Sequence, residues 1–115
     1  MPDFKLVLDR LLEFRHERDW EQFHKPKDLA LSLVLEASEV LEHFQWKSTE
    51  EIEEYVKTHK DHIAEELADV FNWVILMAND LDIDLIEASN KKIDKNGLKY
   101  PIEKAKGRAD KYNKL

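Results

Sequence analysis

Apolar residues return every three to four positions along nearly the whole of this chain, and very little interrupts them. In 115 residues there are two glycines and three prolines, too few turn-makers for a chain that folds back on itself as short strands. The expected class is all-α. A chain of this length holds one hydrophobic core, so residues 1–115 are expected to form a single domain of antiparallel helices, similar to a four-helix bundle. Short helices in one layer leave part of their apolar faces uncovered, which favours a homo-oligomer.

The breaks in the pattern predict four or five helices. The first spans about Asp3–Asp19, with Phe4, Val7, Leu8, Leu11, Leu12 and Phe14 on or near one face. The period fails around Glu21–Pro26, and Pro26 stands where a second helix should open, running to about Trp46. Ser48 with Glu51 reads as a capping box at the head of a short acidic segment ending near Tyr55. A long helix follows over about Asp61–Leu81. Asp84 with Glu87 opens a last helix to about Asp94, and residues from about 97 to 115 read as an irregular basic segment.

Charge and composition exclude several functions. A net charge of −7 argues against binding a nucleic-acid polymer, whose phosphates require clustered Lys and Arg. With no cysteine there is no disulfide, thiolate metal site or cysteine nucleophile. The apolar runs Leu33–Leu35 and Trp73–Ala78 are far short of the roughly 20 residues that span a bilayer. The start of the chain, Met1-Pro2-Asp3, lacks the pattern of a signal peptide, so a cytoplasmic protein without a membrane partner is expected. The charge is also uneven. Lys91–Leu115 holds nine Lys or Arg against three Asp or Glu, leaving an acidic body with a basic tail. That division suits metal held in the body and phosphate near the tail, although the composition fits a plain solvated tail as well.

The chemistry lies in a design that occurs twice. Glu36 and Glu39 on the second helix, and Glu66 and Asp69 on the long helix, are each spaced i, i+3, so each pair projects from one side of its helix. At about 100° per residue, Leu29, Leu33, Val34, Ala37, Val40, Leu41 and Phe44 fill an arc from about 20° to 160° beside Glu36. Glu39, His43 and Ser32 lie within about 60° on its other side. From Glu66, an equivalent arc holds Ile63, Leu67, Val70, Phe71, Val74 and Met77, with Asp69, Trp73 and His62 just beyond its edge. One such acidic pair is ordinarily a solvated surface. Two at matching angles beside two apolar arcs bring four carboxylates together when the helices pack.

Carboxylates gathered in this way repel one another and lose hydration, so they either take up protons or bind hard cations. An all-oxygen donor set selects Mg²⁺, with Mn²⁺ as a substitute, and leaves coordination positions for water and substrate phosphate. Such ions orient water and stabilise charge on a phosphoryl group. A carboxylate-bridged di-iron centre needs Glu-x-x-His on two helices. Here Glu39 and His43 are i, i+4, and Glu21 and His24 fall in an expected loop.

Trp73 follows Asp69 by four residues and Trp46 follows Glu39 by seven, so both share a stripe with the acids; Trp20 stands beside the break after the first helix. Tryptophans in these places fill a core or an interface, or stack on a nucleobase at the rim of a metal–phosphate site. His43 and His62 share the acidic stripe and are expected beside the ligands rather than among them.

Taken in order, the strings Arg18-Asp19-Trp20-Glu21-Gln22-Phe23-His24, Pro26, Glu36-x-x-Glu39, Phe44-Gln45-Trp46-Lys47, Glu65-Glu66-Leu67-Ala68-Asp69-Val70 and Lys99-Tyr100-Pro101 are similar to one family. Over about Leu12 to Tyr112 the chain resembles the dCTP pyrophosphatase branch of the MazG-like all-α nucleoside triphosphate pyrophosphohydrolases. The resemblance implies that Glu36, Glu39, Glu66 and Asp69 hold Mg²⁺, and that water attacks the α-phosphorus of a (d)NTP to give (d)NMP and pyrophosphate. Either Glu36 or Glu39 would be the general base. It further implies that Trp20 and Trp46 surround the base, and that Lys92, Asn96, Lys99 and Tyr100 approach the phosphates or the base. Family members are dimers or dimer-of-dimers tetramers and clear non-canonical or surplus nucleotides.

The chain departs from the dCTP pyrophosphatases at two positions, with Leu11 where they carry His and Trp73 where they carry Tyr. The four acids are intact, so the departures bear on base preference, for which cytosine nucleotides are the starting expectation. Two other readings remain open on the residues. One is a non-catalytic helical interaction module holding a basic ligand in the acidic groove, and the other is a pyrophosphohydrolase of a different pyrophosphate-containing metabolite.

Overall fold

The computed structural model describes residues 2–115; Met1, the first residue of the expected domain, lies outside them. Among the described residues there are five α-helices and no strand: α1 (Pro2–Glu17), α2 (Pro26–Glu42), α3 (Thr49–Asp80), α4 (Leu85–Lys99) and α5 (Ile102–Ala105). Short 3₁₀ turns cover Glu21–Phe23 and Tyr112–Lys114. No helix among the described residues is long and apolar enough to cross a membrane. The chain divides into two compact units, one through Leu81 and one from Asp82 to Leu115.

The first unit contains α1, α2 and α3. Helix α1 stops where Asp19 takes a left-handed backbone, φ 54°, a conformation that Asp tolerates better than most side chains. The reversal returns the Trp20 amide to the Arg15 carbonyl at 3.1 Å and sets the Trp20 ring edge-on to Phe14. Lys25 is extended ahead of Pro26, which occupies the first turn of α2, where its missing N–H costs nothing. Helix α2 ends at Glu42, a turn before the expected Trp46. The chain tightens there into short-range turns, and Lys47 Nζ donates to the His43 carbonyl at 2.8 Å. Ser48 then opens α3 with the expected capping box. Its hydroxyl accepts from the Glu51 amide, and the Glu51 carboxylate accepts from the Ser48 amide, each at 3.2 Å.

The acidic segment near Tyr55 and the long helix from Asp61 are one helix, not two. No Pro or Gly separates them, and the expected break is a kink at His59 (φ −119°, ψ 17°). The Thr58 hydroxyl (3.2 Å) and His59 Nδ1 (3.1 Å) both reach the Tyr55 carbonyl, inserting side chains into the helical ladder.

Helices α2 and α3 pack antiparallel, with His24 meeting Trp73 below the pair and His43 meeting Tyr55 above. Helix α1 joins the C-terminal half of α3, where Phe4 packs edge-on to Phe71 and Arg15 pairs with Asp80. Leu29, Ile75, Leu76 and Ala78 are buried. The expected apolar arcs are only partly covered. Val34, Leu41, Leu67 and Phe71, assigned to the core by their angles, are exposed because the arcs are wider than the seam a single partner helix closes. Ile75, about 180° from Glu66 and outside the expected arc, is 1% exposed.

In the second unit, Asp84 caps α4 by accepting from the Glu87 amide at 3.0 Å, as expected. The helix then runs to Lys99, passing through the expected break at Asn96-Gly97. Gly97 keeps a helical backbone, and the helix stops at Tyr100 because Pro101 drives the preceding residue out of the helical region. Tyr100 and Tyr112 meet edge to face, and Lys99 Nζ stands 4.9 Å over the Tyr112 ring. The tail is thus partly built and not wholly irregular.

Candidate metal centre and adjoining cavity

The i, i+3 spacing puts Glu36 and Glu39 on the side of α2 that meets α3, and Glu66 stands opposite. One carboxylate oxygen from each of Glu36, Glu39 and Glu66 lies within 4.8 Å of the others. Asp69 stands outside this trio, one turn along α3, on the wall of an adjoining cavity. Its charge is nonetheless felt at Glu36.

Two of the three carboxylates, Glu36 and Glu66, are held above the usual carboxylate range. Glu36 is pushed up to about 6, chiefly by loss of hydration, then by its contact with Glu39 and the charges of Asp69, Glu39 and Glu66. Glu66 is also raised, first by the adjacent Glu39 carboxyl and then by desolvation. Glu36 Oε2 is buried without a hydrogen-bond partner. A buried, unpartnered carboxylate oxygen facing two further carboxylates is the donor arrangement a hard divalent cation satisfies, so the residues fit Mg²⁺ or Mn²⁺.

Beside the trio, α1, the Trp20 turn and α3 enclose a cavity of about 460 Å³. Its walls include Leu11, Phe14, Trp20 and Trp73, with Arg10, Arg15, His24, Asp69 and Asn72 as polar groups. His24 lies edge-on to Trp73 at 5.3 Å and tilted against Trp20 at 6.3 Å. Burial and the nearby Arg15 charge lower the pKa of the His24 imidazole, and its Nδ1 is buried without a partner. Flat aromatic walls with a few polar groups suit a planar heterocycle.

The expected site residues are therefore gathered unevenly. Trp20 and Trp73 share the cavity, whereas Trp46 lies in the turn after α2 and is 87% exposed. Lys92, Asn96 and Lys99 fall on one stripe of α4, with Tyr100 just past its end, all in the second unit. The ion pair of Arg15 with Asp80, the cavity position of His24 and the pairing of His43 with Tyr55 were not foreseen. Only His24 carried a local signal, its i, i+4 spacing from Trp20.

Comparison with known proteins gives this geometry a family. Residues 31–115 match the model of the MazG-like family. Mouse dCTP pyrophosphatase 1 is 43% identical over 105 residues, covering 90% of this chain, and the human protein of the same name is 39% identical over the same length. The chain spans 62% of the length of these curated relatives. The crystal structure of a pyrophosphatase from Archaeoglobus fulgidus superposes with a TM-score of 0.80 at 41% identity, covering 84% of this chain and 91% of that one. Helical architecture and matches over most of the chain agree: this protein belongs to the MazG-like family.

Proposed function

We propose that this chain is a Mg²⁺-dependent nucleoside triphosphate pyrophosphohydrolase. It would hydrolyse a (d)NTP at the α-phosphorus to (d)NMP and pyrophosphate, as one domain over residues 1–115. The observation that carries the reading is the convergence of Glu36, Glu39 and Glu66 within 4.8 Å around a buried, unpartnered oxygen. The names of the relatives, dCTP pyrophosphatase and pyrophosphatase, support the reaction class.

Glu36, Glu39, Glu66 and Asp69 would hold the metal, which when bound supplies positive charge to the phosphoryl oxygens and the attacking water. Mn²⁺ would substitute. Within this set Glu36 or Glu39 takes the proton of the attacking water; loss of hydration and the adjoining Glu39 carboxyl make Glu36 more basic than an ordinary glutamate. Trp20 and Trp73 line the cavity that would take the base, and Trp46, exposed at the other end of α2, would add its ring from a second copy of the chain. Lys92, Asn96, Lys99 and Tyr100 carry donors suited to phosphate. A cytosine base is the working assignment, drawn from the relatives' names.

The working form is a homodimer or a dimer-of-dimers tetramer, supported by the exposure of Val34, Leu35, Leu41 and Leu67 on α2 and α3. The role is clearance of non-canonical or surplus nucleotides in the cytoplasm.

The test is incubation with Mg²⁺ and a panel of canonical and modified (d)NTPs, resolving pyrophosphate from orthophosphate. Pyrophosphate with an equal amount of monophosphate is expected, and the order of rates gives the base preference. Orthophosphate with a diphosphate product would mean attack at the γ-phosphorus and would overturn the assignment.

A further inference from the structure

His43 lies just past the end of α2, one turn beyond Glu39, with one ring nitrogen bonded to Tyr55 and the other facing Glu66. Nδ1 is 2.5 Å from the Tyr55 hydroxyl, and Nε2 is 4.0 Å from Glu66 Oε1. Both the imidazole and the Glu66 side chain are sheltered, at 13% and 27% exposure. Tyr55 is itself clamped. The His59 ring stacks on it at 4.0 Å with a 4° interplanar angle, and Lys47 Nζ sits 4.2 Å over the ring while bonding the His43 carbonyl. The kink at His59 gives that stack its position.

The Glu66 carboxylate selects the His43 tautomer, because a ring nitrogen facing an anion is favoured in its N–H form. With the Tyr55 hydroxyl donating to Nδ1, the ring proton resides on Nε2, the nitrogen that faces Glu66. At 4.0 Å the N–H is beyond hydrogen-bond length but still a strong local dipole against the carboxylate. Among the described residues, it is the basic side chain that reaches the trio. The N–H turns the positive end of its dipole toward Glu66 Oε1.

We propose that His43, locked by Tyr55, is a positioning residue that holds Glu66 ready to ligate a divalent cation. The inference rests on the reading of the trio as a metal centre. It adds that the centre's affinity is set from outside the ligand set, through a Tyr–His pair that carries no metal itself. Groups that orient ligating side chains typically govern about 10–100-fold of metal affinity.

The test is Mn²⁺ titration of the full chain without nucleotide, followed by electron paramagnetic resonance, for the wild type, His43→Leu, His43→Gln and Tyr55→Phe. Thermal unfolding of each confirms the fold. His43→Leu is expected to weaken Mn²⁺ binding by about 10-fold or more. His43→Gln, which returns an N–H near the Nε2 position, should recover most of that loss, and Tyr55→Phe should fall between them. Equal Mn²⁺ affinity in wild type and His43→Leu, or no recovery in His43→Gln, overturns the inference while leaving the metal centre intact. If His43→Leu does not fold, Tyr55→Phe decides: unchanged affinity overturns the inference, and weakened affinity supports it. A wild type that binds no Mn²⁺ removes the metal centre and this inference together.

Discussion

The Arg15 guanidinium and the Asp80 carboxylate meet through two parallel hydrogen bonds, 2.7 and 2.9 Å, joining the last turn of α1 to the end of α3. Each holds the other in its charged form, Arg15 raised and Asp80 lowered, first through that hydrogen-bonded contact. Arg15 is 7% exposed and also lines the cavity, so one contact both closes the helix pair and fixes a polar wall of the candidate base site.

Removing one partner strands a buried charge. Asp80→Ala is expected to cost about 3 kcal/mol in urea unfolding, and the double replacement Arg15→Met with Asp80→Leu much less, since no charge is then left unpaired. The pH dependence has a defined sign. The lowered pKa of Asp80 contributes stability that is present above the ordinary carboxylate range and is lost as pH falls below it. Urea midpoints of wild type and Asp80→Asn should therefore converge in acid.

Trp46 offers a clean separation of packing from ligand contact. At 87% exposure it supports little of the fold, so Trp46→Ala should shift unfolding by no more than about 0.5 kcal/mol. If it stacks on the base, KM for the preferred (d)NTP rises about 5- to 150-fold, the range for losing one aromatic platform. Trp20→Ala should raise KM similarly, with some loss of stability from its contact with Phe14. Unchanged KM in both variants would remove the tryptophans from the base site.

Glu39→Gln tests the trio directly. It keeps the size of a side chain that is exposed but aimed at Glu36 and Glu66. Pyrophosphate release is expected to fall about 10²–10⁴-fold, whether the lost role is proton transfer or metal ligation. Mn²⁺ binding separates the two: a residue acting as base alone leaves it near the wild-type value.

What could be read from sequence was whatever is encoded locally. The capping pairs Ser48–Glu51 and Asp84–Glu87 and the N1 proline Pro26 each act within one turn, and all three helix starts stand where expected. Helix ends were harder, because Gly97 tolerates a helix and the Thr58–His59 insertion kinks one without ending it. Angular placement was expected to bring four carboxylates together; Glu36, Glu39 and Glu66 do converge, while Asp69 stands outside their 4.8 Å cluster. Angles could not tell which apolar residues a neighbour covers, so Val34 and Phe71 were assigned to a core that does not reach them. Arg15 and Asp80 are 65 residues apart, and nothing near either one announces the other.

The trio should also make the metal-free protein sensitive to pH in a direction opposite to that of Asp80. Glu36, pushed up to about 6, is more easily protonated when folded than when unfolded. A raised carboxyl contributes stability below its unfolded value, about 4.3, and loses that contribution as pH rises through its folded one. Glu66, also raised, adds in the same sense. In EDTA, Glu36→Gln has no charge to desolvate, so its melting temperature should gain on wild type as pH rises from about 4.5 to 7. Mg²⁺ should close the gap at pH 7 by stabilising the wild type, because a cation bound to the folded state neutralises the charge that burial penalises. Melting curves at several pH values, with EDTA and with Mg²⁺, check both halves. A gap that is flat with pH would mean that Glu36 is no more strained than a surface glutamate, and the centre would then lose the electrostatic pressure that favours a cation there.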